Sequence, residues 1–174
     1  DTAYAFHGGQ WSSLDDIVAR VRDLEVTHVC VTGGEPLAQP AVTALLTLLC
    51  DGGWRVSLET SGAMSLSAVD PRVVKVVDVK TPRSGEEARN RYEELGGLAA
   101  TDLVKFVIVD RADYEWSRAQ LRDRGLAERC TVLFSPSHAD LPARDLADWV
   151  LEDRLPVRFQ VQLHKYLWGD QPGR

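Results

Sequence analysis

Short apolar runs alternate with amphipathic stretches along the whole chain. Leu14, Ile17, Val18, Val21 and Leu24 recur at helical spacing, with Ser12 or Ser13 as cap and Asp15 and Asp16 in the first turn. His28 to Val31 is a short apolar run that stops at Thr32, the pattern of a buried strand. Gln39-Pro40 opens a helix with Val42, Leu45, Leu46 and Leu49 inward, and Gly52-Gly53 ends it. Trp54, Val56 and Leu58 alternate as a strand that ends at Glu59, and Val73 to Val79 is the next, interrupted by Lys75. Ser84 and Glu87 have capping-box spacing, which predicts a helix running to Leu95 before Gly96-Gly97. Leu103 to Val109 reads as a strand, Asp113 as the cap of a helix that stops near Gly125, and Thr131 to Phe134 as a strand before the Pro136 turn. Leu146, Trp149 and Val150 share the inner face of a further helix, and Val157, Phe159, Val161 and Leu163 alternate as a final strand.

Nearly continuous apolar strands separated by amphipathic helices predict an α/β fold whose parallel sheet is covered by helices. No linker, repeat or low-complexity segment divides the chain, so residues 1–174 read as a single domain. Periodicity leaves a doubly wound sheet and a segment of a (β/α) barrel equally open.

Strand ends are where the chemistry collects. Val29-Cys30-Val31-Thr32-Gly33-Gly34-Glu35-Pro36 carries an apolar run into a polar Thr, two glycines and a carboxylate. Glycines at a strand end let a ligand approach the backbone, and carbonyls with a carboxylate offer acceptors only. Such a site suits an ammonium group and not a phosphate. The other strands end in Glu59-Thr60-Ser61, in Asp78 and Lys80, in Ser135-Pro136-Ser137, and in Gln162 with His164-Lys165. In a parallel sheet these ends converge on one rim. Glu59 alone also reads as an ion-pair partner for a basic residue on a neighbouring strand.

A net charge of −6 speaks against wholesale binding to a nucleic-acid backbone. No apolar run approaches the ~20 residues that span a membrane, and no signal peptide opens the chain, so a cytoplasmic protein is expected. Cys30, Cys50 and Cys130 are far apart and sit in apolar runs, which predicts buried, reduced thiols and not an iron–sulfur site.

Thr32-Gly33-Gly34-Glu35-Pro36 resembles the strand-end motif of radical S-adenosylmethionine (SAM) enzymes. Asp1-Thr2-Ala3-Tyr4-Ala5-Phe6, Glu59-Thr60-Ser61-Gly62, Asp78-Val79-Lys80, Phe134-Ser135-Pro136-Ser137 and Gln162-Leu163-His164-Lys165-Tyr166-Leu167 resemble, in the same order, one family of that group, the 7-carboxy-7-deazaguanine synthases. The resemblance covers the whole chain. It implies a partial (β/α) barrel with mostly parallel strands and the substrate in its C-terminal mouth. It implies ring contraction of the pterin 6-carboxy-5,6,7,8-tetrahydropterin to 7-carboxy-7-deazaguanine with loss of ammonia, on the way to queuosine-type bases. The implied cofactors are SAM, a [4Fe–4S] cluster and Mg²⁺, and the implied assembly is a homodimer.

By the same resemblance, SAM contacts fall on Gly34, Glu35, Asp78, Val79, Lys80, Ser135, Pro136, Ser137 and His138. Thr32 falls at a substrate contact, and Thr2 gives an oxygen to Mg²⁺. The family's Cys-x-x-x-Cys-x-x-Cys cluster motif is absent from the sequence, which begins where that motif would end. The 174 residues alone are therefore expected to be inactive, as the C-terminal bulk of such an enzyme. A glycyl-radical-enzyme activase shares Gly-Gly-Glu, and a cluster-free binding domain on the same barrel fits the missing cysteines; both stand as alternatives.

Overall fold

The computed structural model of the chain describes residues 9–169 and Gln171. Among them lie six strands in one sheet: β1 (His28–Val31), β2 (Arg55–Thr60), β3 (Val74–Asp78), β4 (Leu103–Ile108), β5 (Thr131–Pro136) and β6 (Arg158–Phe159). Their order in the sheet is their order in the chain, and every neighbouring pair is parallel. That order decides what periodicity left open. A doubly wound sheet reverses its strand order at a switch point. Right-handed crossovers that never reverse put every helix on one face, and the twisted sheet curls into an open (β/α) barrel.

Helices α1 (Leu14–Asp23), α2 (Val42–Asp51), α3 (Arg111–Asp123) and α5 (Ala143–Glu152) follow their sequence signals; α4 (Leu126–Arg129) and α6 (Leu163–Trp168) have none. The Ser13 hydroxyl accepts from the Asp16 amide at the start of α1. One core packs Val42, Leu46 and Leu49 of α2 onto Val56 and Leu58 of β2. A larger one packs Tyr114 and Leu121 of α3 and Leu146 and Val150 of α5 onto Val104, Phe106, Ile108, Val132 and Phe134. Phe106 meets Phe134 edge-on at 5.6 Å, and Tyr114 meets Phe134 at 6.1 Å, so aromatic contacts seat α3 on β4 and β5. Lys75 breaks the β3 run because it is paired. Its ammonium lies 3.1 Å from the buried carboxylate of Asp102, which also accepts from the Lys75 amide.

Four expectations are corrected. Residues 84–95 form no α-helix: single turns at Pro82–Ser84, Glu87–Arg89 and Tyr92–Gly97 replace it. Ser84 spends its hydroxyl proton on the Thr81 carbonyl at 2.6 Å, and Gly85 turns left-handed at φ 72°, which breaks the capping box. Asp110, not Asp113, caps α3 by accepting from the Asp113 amide; Asp113 is buried in the first turn. The last strand is only Arg158–Phe159, and Leu163 opens α6 with its side chain exposed. Of the cysteines only Cys130 is buried; Cys30 is exposed and Cys50 half-buried.

Candidate functional site

Alternation along the strands gives the sheet two unlike faces. Val104, Phe106 and Ile108 of β4 point to the helices, while Leu103, Lys105 and Val107 between them stay half-buried on the inner face. On β2, Val56, Leu58 and Thr60 are buried, whereas Ser57 and Glu59 are not. Cys30 of β1 pairs across the sheet with Ser57, and desolvation first raises its thiol above its ordinary value. No ion pair to Glu59 occurs among the described residues, which corrects that reading of it.

At the end of β1, Thr32 is exposed, and Gly33 and Gly34 take φ of 99° and 53°, a region open to glycine at no steric cost. A Cβ on Gly33 would meet nothing within 4 Å, so the backbone stands open on that side. Glu35 turns away from open space. One carboxylate oxygen accepts from the Leu37 amide at 3.0 Å and the Thr60 hydroxyl at 2.9 Å. The other takes the Ser61 amide at 2.8 Å, the Ser61 hydroxyl and a share of Thr60. Glu35 thus ties the end of β1 to the end of β2. The Ser61 amide and hydroxyl are both spent on Glu35. No described backbone group bonds the carbonyls of Gly33 or Gly34, and these remain as acceptors.

At the end of β3 the Lys80 ammonium lies 2.8 Å from Asp78 Oδ2. Asp78 Oδ1 is buried with no hydrogen-bond partner. A buried acceptor without a donor costs free energy unless something supplies one. A ligand hydroxyl suits it, so the residues present fit the ribose end of SAM. Val79 is buried, and its amide donates to the Lys105 carbonyl at 2.9 Å.

The β5 end extends further than the pattern indicated. Ser135 and Pro136 stay in register with Val107 and Ile108 of β4 and are buried. Beyond them the Ser137 amide donates to the Ile108 carbonyl at 2.8 Å, and the Ser137 hydroxyl to Asp140 at 2.6 Å. His138 is exposed, and its ring meets the Tyr166 ring of α6 edge-on at 5.5 Å. The structure thus brings Thr32 to Glu35, Asp78 to Lys80 and Ser135 to His138 to the same C-terminal rim of one parallel sheet. Thr2, the expected Mg²⁺ ligand, lies outside the described residues. Nothing described fits a [4Fe–4S] cluster, because no three metal-ligating side chains converge.

Two residues at this rim carried no sequence signal for the part they play. Asn90 and Asp113 grip the backbone just after β3. Asn90 falls inside the stretch that periodicity reads as helix, and Asp113 reads as a cap.

No profile of a known protein family matches the chain. Curated relatives do. It is 41% identical over 173 residues to the 7-carboxy-7-deazaguanine synthase of Chlorobaculum tepidum, covering 97% of this chain and 78% of that protein. It is 43% identical over 183 residues to the 7-carboxy-7-deazaguanine synthase of Koribacter versatilis, covering 97% of this chain and 81% of that protein. Among solved structures, QueE from Escherichia coli superposes with a TM-score of 0.67 at 21% identity, over 87% of this chain and 64% of that one. Streptococcus suis SuiB bound to S-adenosylmethionine shares the fold with a TM-score of 0.62 at 11% identity, over 90% of this chain and 45% of that one. The chain belongs to the 7-carboxy-7-deazaguanine synthase family.

Proposed function

We propose that this protein contracts the ring of 6-carboxy-5,6,7,8-tetrahydropterin to 7-carboxy-7-deazaguanine with loss of ammonia, as a radical SAM lyase of 7-deazapurine biosynthesis. The observation that carries the reading is identity above 40% to two synthases of that name over 97% of this chain. The rim geometry supports it. The free carbonyls of Gly33 and Gly34 accept from the SAM ammonium, with Glu35 behind them fixing the turn. Lys80 meets the SAM carboxylate, and the orphaned Asp78 Oδ1 takes a ribose hydroxyl. Val79 and Ser135 to His138 line the same ligand, and Thr32 meets the pterin. Bound SAM, with one electron from a reduced [4Fe–4S] cluster, would supply the radical chemistry; the residues of this chain orient the partners and exclude water.

Mg²⁺ belongs to this reading through Thr2, with the substrate carboxylate and water completing its preferred oxygen shell. We place the protein in the cytoplasm as a homodimer with no direct nucleic-acid or membrane partner. No described helix is long and apolar enough to cross a membrane. Cys30, Cys50 and Cys130 lie on β1, on α2 and ahead of β5, which supports the expectation that these 174 residues alone bind no cluster and do not turn over. The test is anaerobic incubation of the full-length gene product, after iron and sulfide reconstitution, with SAM, a reductant, Mg²⁺ and the pterin. Mass spectrometry should find 7-carboxy-7-deazaguanine; SAM cleavage without that product would reject the substrate.

A further inference from the structure

The backbone that presents Asp78 and Lys80 leaves the sheet on one side before it leaves it on the other. Successive backbone amides of a strand point to alternate neighbours. The Val79 amide points to β4 and finds the Lys105 carbonyl at 2.9 Å. The Lys80 amide points the other way, toward β2, whose last paired residue is Thr60 opposite Val77. No strand waits there. The Asn90 side chain fills the gap. Its Oδ1 accepts from the Lys80 amide at 2.9 Å, and its Nδ2 donates to the Lys80 carbonyl at 2.8 Å. One carboxamide makes both bonds of a strand neighbour.

The surroundings fix that carboxamide. The second Nδ2 proton reaches the Tyr92 hydroxyl at 3.2 Å, and the Arg124 guanidinium lies 3.8 Å from the Tyr92 ring centre. The next amide, Arg91, donates to the Gly62 carbonyl at 3.0 Å, just past the end of β2. The irregular stretch between β3 and β4 therefore bridges the ends of β2 and β3. From the opposite side, buried Asp113 accepts from the Thr81 hydroxyl at 2.8 Å and the Arg83 amide at 3.1 Å.

We propose that Asn90 is a positioning residue for SAM binding: its carboxamide replaces a missing strand neighbour of Lys80 and thereby holds the Asp78–Lys80 pair at the rim. The proposal rests on the SAM reading of that pair. Without Asn90 the Lys80 peptide loses both bonds on one side, and the ammonium that meets the ligand loses its fixed base.

Two variants and two readouts test it. Asn90→Ala should speed hydrogen exchange at the Lys80 amide at least ten-fold, read by NMR on the unliganded protein. It should weaken SAM binding to the cluster-loaded full-length gene product about ten-fold, the size expected for a lost pair of neutral hydrogen bonds, while the pterin KM stays within about two-fold. Asn90→Asp supplies the discriminating result. At neutral pH its carboxylate still accepts from the Lys80 amide but has no donor for the Lys80 carbonyl, so Lys80 exchange should stay closer to wild type than in Asn90→Ala while SAM binding weakens. As pH falls and that carboxyl takes a proton, it regains the donor to the Lys80 carbonyl and SAM binding should recover, whereas in Asn90→Ala it should not. Unchanged Lys80 exchange and SAM affinity in Asn90→Ala would overturn the proposal. So would parallel losses in SAM affinity, pterin KM and melting temperature, which mark general loosening. Wild-type protein that binds no SAM would overturn the proposed function instead, and Lys80 exchange would still decide whether Asn90 holds the backbone.

Discussion

Glu35 and Asp78 are carboxylates at the ends of β1 and β3, on the same rim, and they are spent in opposite ways. Glu35 has two backbone amides and two hydroxyls aimed at its oxygens, from Leu37, Thr60 and Ser61. Asp78 has one ammonium on Oδ2 and a buried Oδ1 with nothing. A saturated carboxylate puts its interaction energy into the fold and keeps little directional capacity for a ligand. One left half-empty in a dry position stores a cost that a ligand donor can relieve. On the proposed reading the rim therefore separates a clasp from a receptor. Sequence alone reads Glu35 as the receptor, because it shows the carboxylate and not its donors.

The sharpest way to break that contrast is to remove the clasp. Glu35→Ala leaves the Thr60 hydroxyl, itself buried, and the Ser61 amide without their acceptor. We expect a loss of about 3 kcal/mol in urea unfolding, the scale of several bonds to a charged acceptor lost together. Glu35→Gln keeps one acceptor oxygen and should lose about half as much. A loss below about 1 kcal/mol for Glu35→Ala would make Glu35 a receptor after all.

Asp113 sharpens the comparison from a second position. It is fully buried, and its donors are the Thr81 hydroxyl, the Arg83 amide and the dipole of its own helix terminus. Asp113→Ala should cost about 2 kcal/mol in the same experiment and loosen the segment after β3. A cost near zero would show that the α3 terminus, and not the carboxylate, holds that segment.

What could be read beforehand follows from what makes each feature. The strands and α1, α2, α3 and α5 are legible because burial imposes a period, and helix-facing residues such as Phe106, Phe134 and Leu46 keep to it. The barrel is not in the periodicity, since strand order depends on pairing between distant runs. The stretch 84–95 misleads because Ser84 and Glu87 match a local signal that Thr81 and Gly85 override. The positions of the rim segments were legible, because polar residues end each apolar run. The division of labour among them was not. It depends on Ser61 pointing at Glu35 and Asn90 at Lys80, contacts 26 and 10 residues apart that no local pattern records.

Asp78→Asn tests the receptor. The Asp78–Lys80 pair is 22% and 31% exposed, so solvent screens it and its net worth to folding is small. The substitution also relieves the unpaired charge on Oδ1. Unfolding stability should stay within about 0.5 kcal/mol of wild type, while SAM affinity of the cluster-loaded protein falls. A large loss of stability with unchanged SAM affinity would move Asp78 into the class of Glu35.

The smallest effect comes from a carboxylate away from the rim. Asp153 follows α5 and takes the Tyr114 hydroxyl at 2.6 Å and Arg118 at 2.6 Å, closing α3 onto α5. The Tyr114 hydroxyl first and the Arg118 guanidinium second hold its carboxyl below the usual carboxylate range. A group depressed in the folded state lends stability above its unfolded pKa, near ~3.9 for aspartate, and loses it as pH falls through the folded value. Burial and the same bond raise Tyr114 in the folded state, so its contribution is lost only as pH climbs above the unfolded value near ~10. Melting temperature against pH should therefore fall less steeply below about pH 4 in Asp153→Asn than in wild type. Tyr114→Phe should flatten the alkaline limb above about pH 10. The remaining carboxylates titrate alike in wild type and variant, so the difference between the curves isolates Asp153. Glu35→Gln serves as the contrast, because it removes the clasp and leaves the Asp153 contacts whole. If Asp153→Asn and wild type share one acid slope, the Tyr114–Asp153–Arg118 closure carries no linkage and the contacts are geometric only.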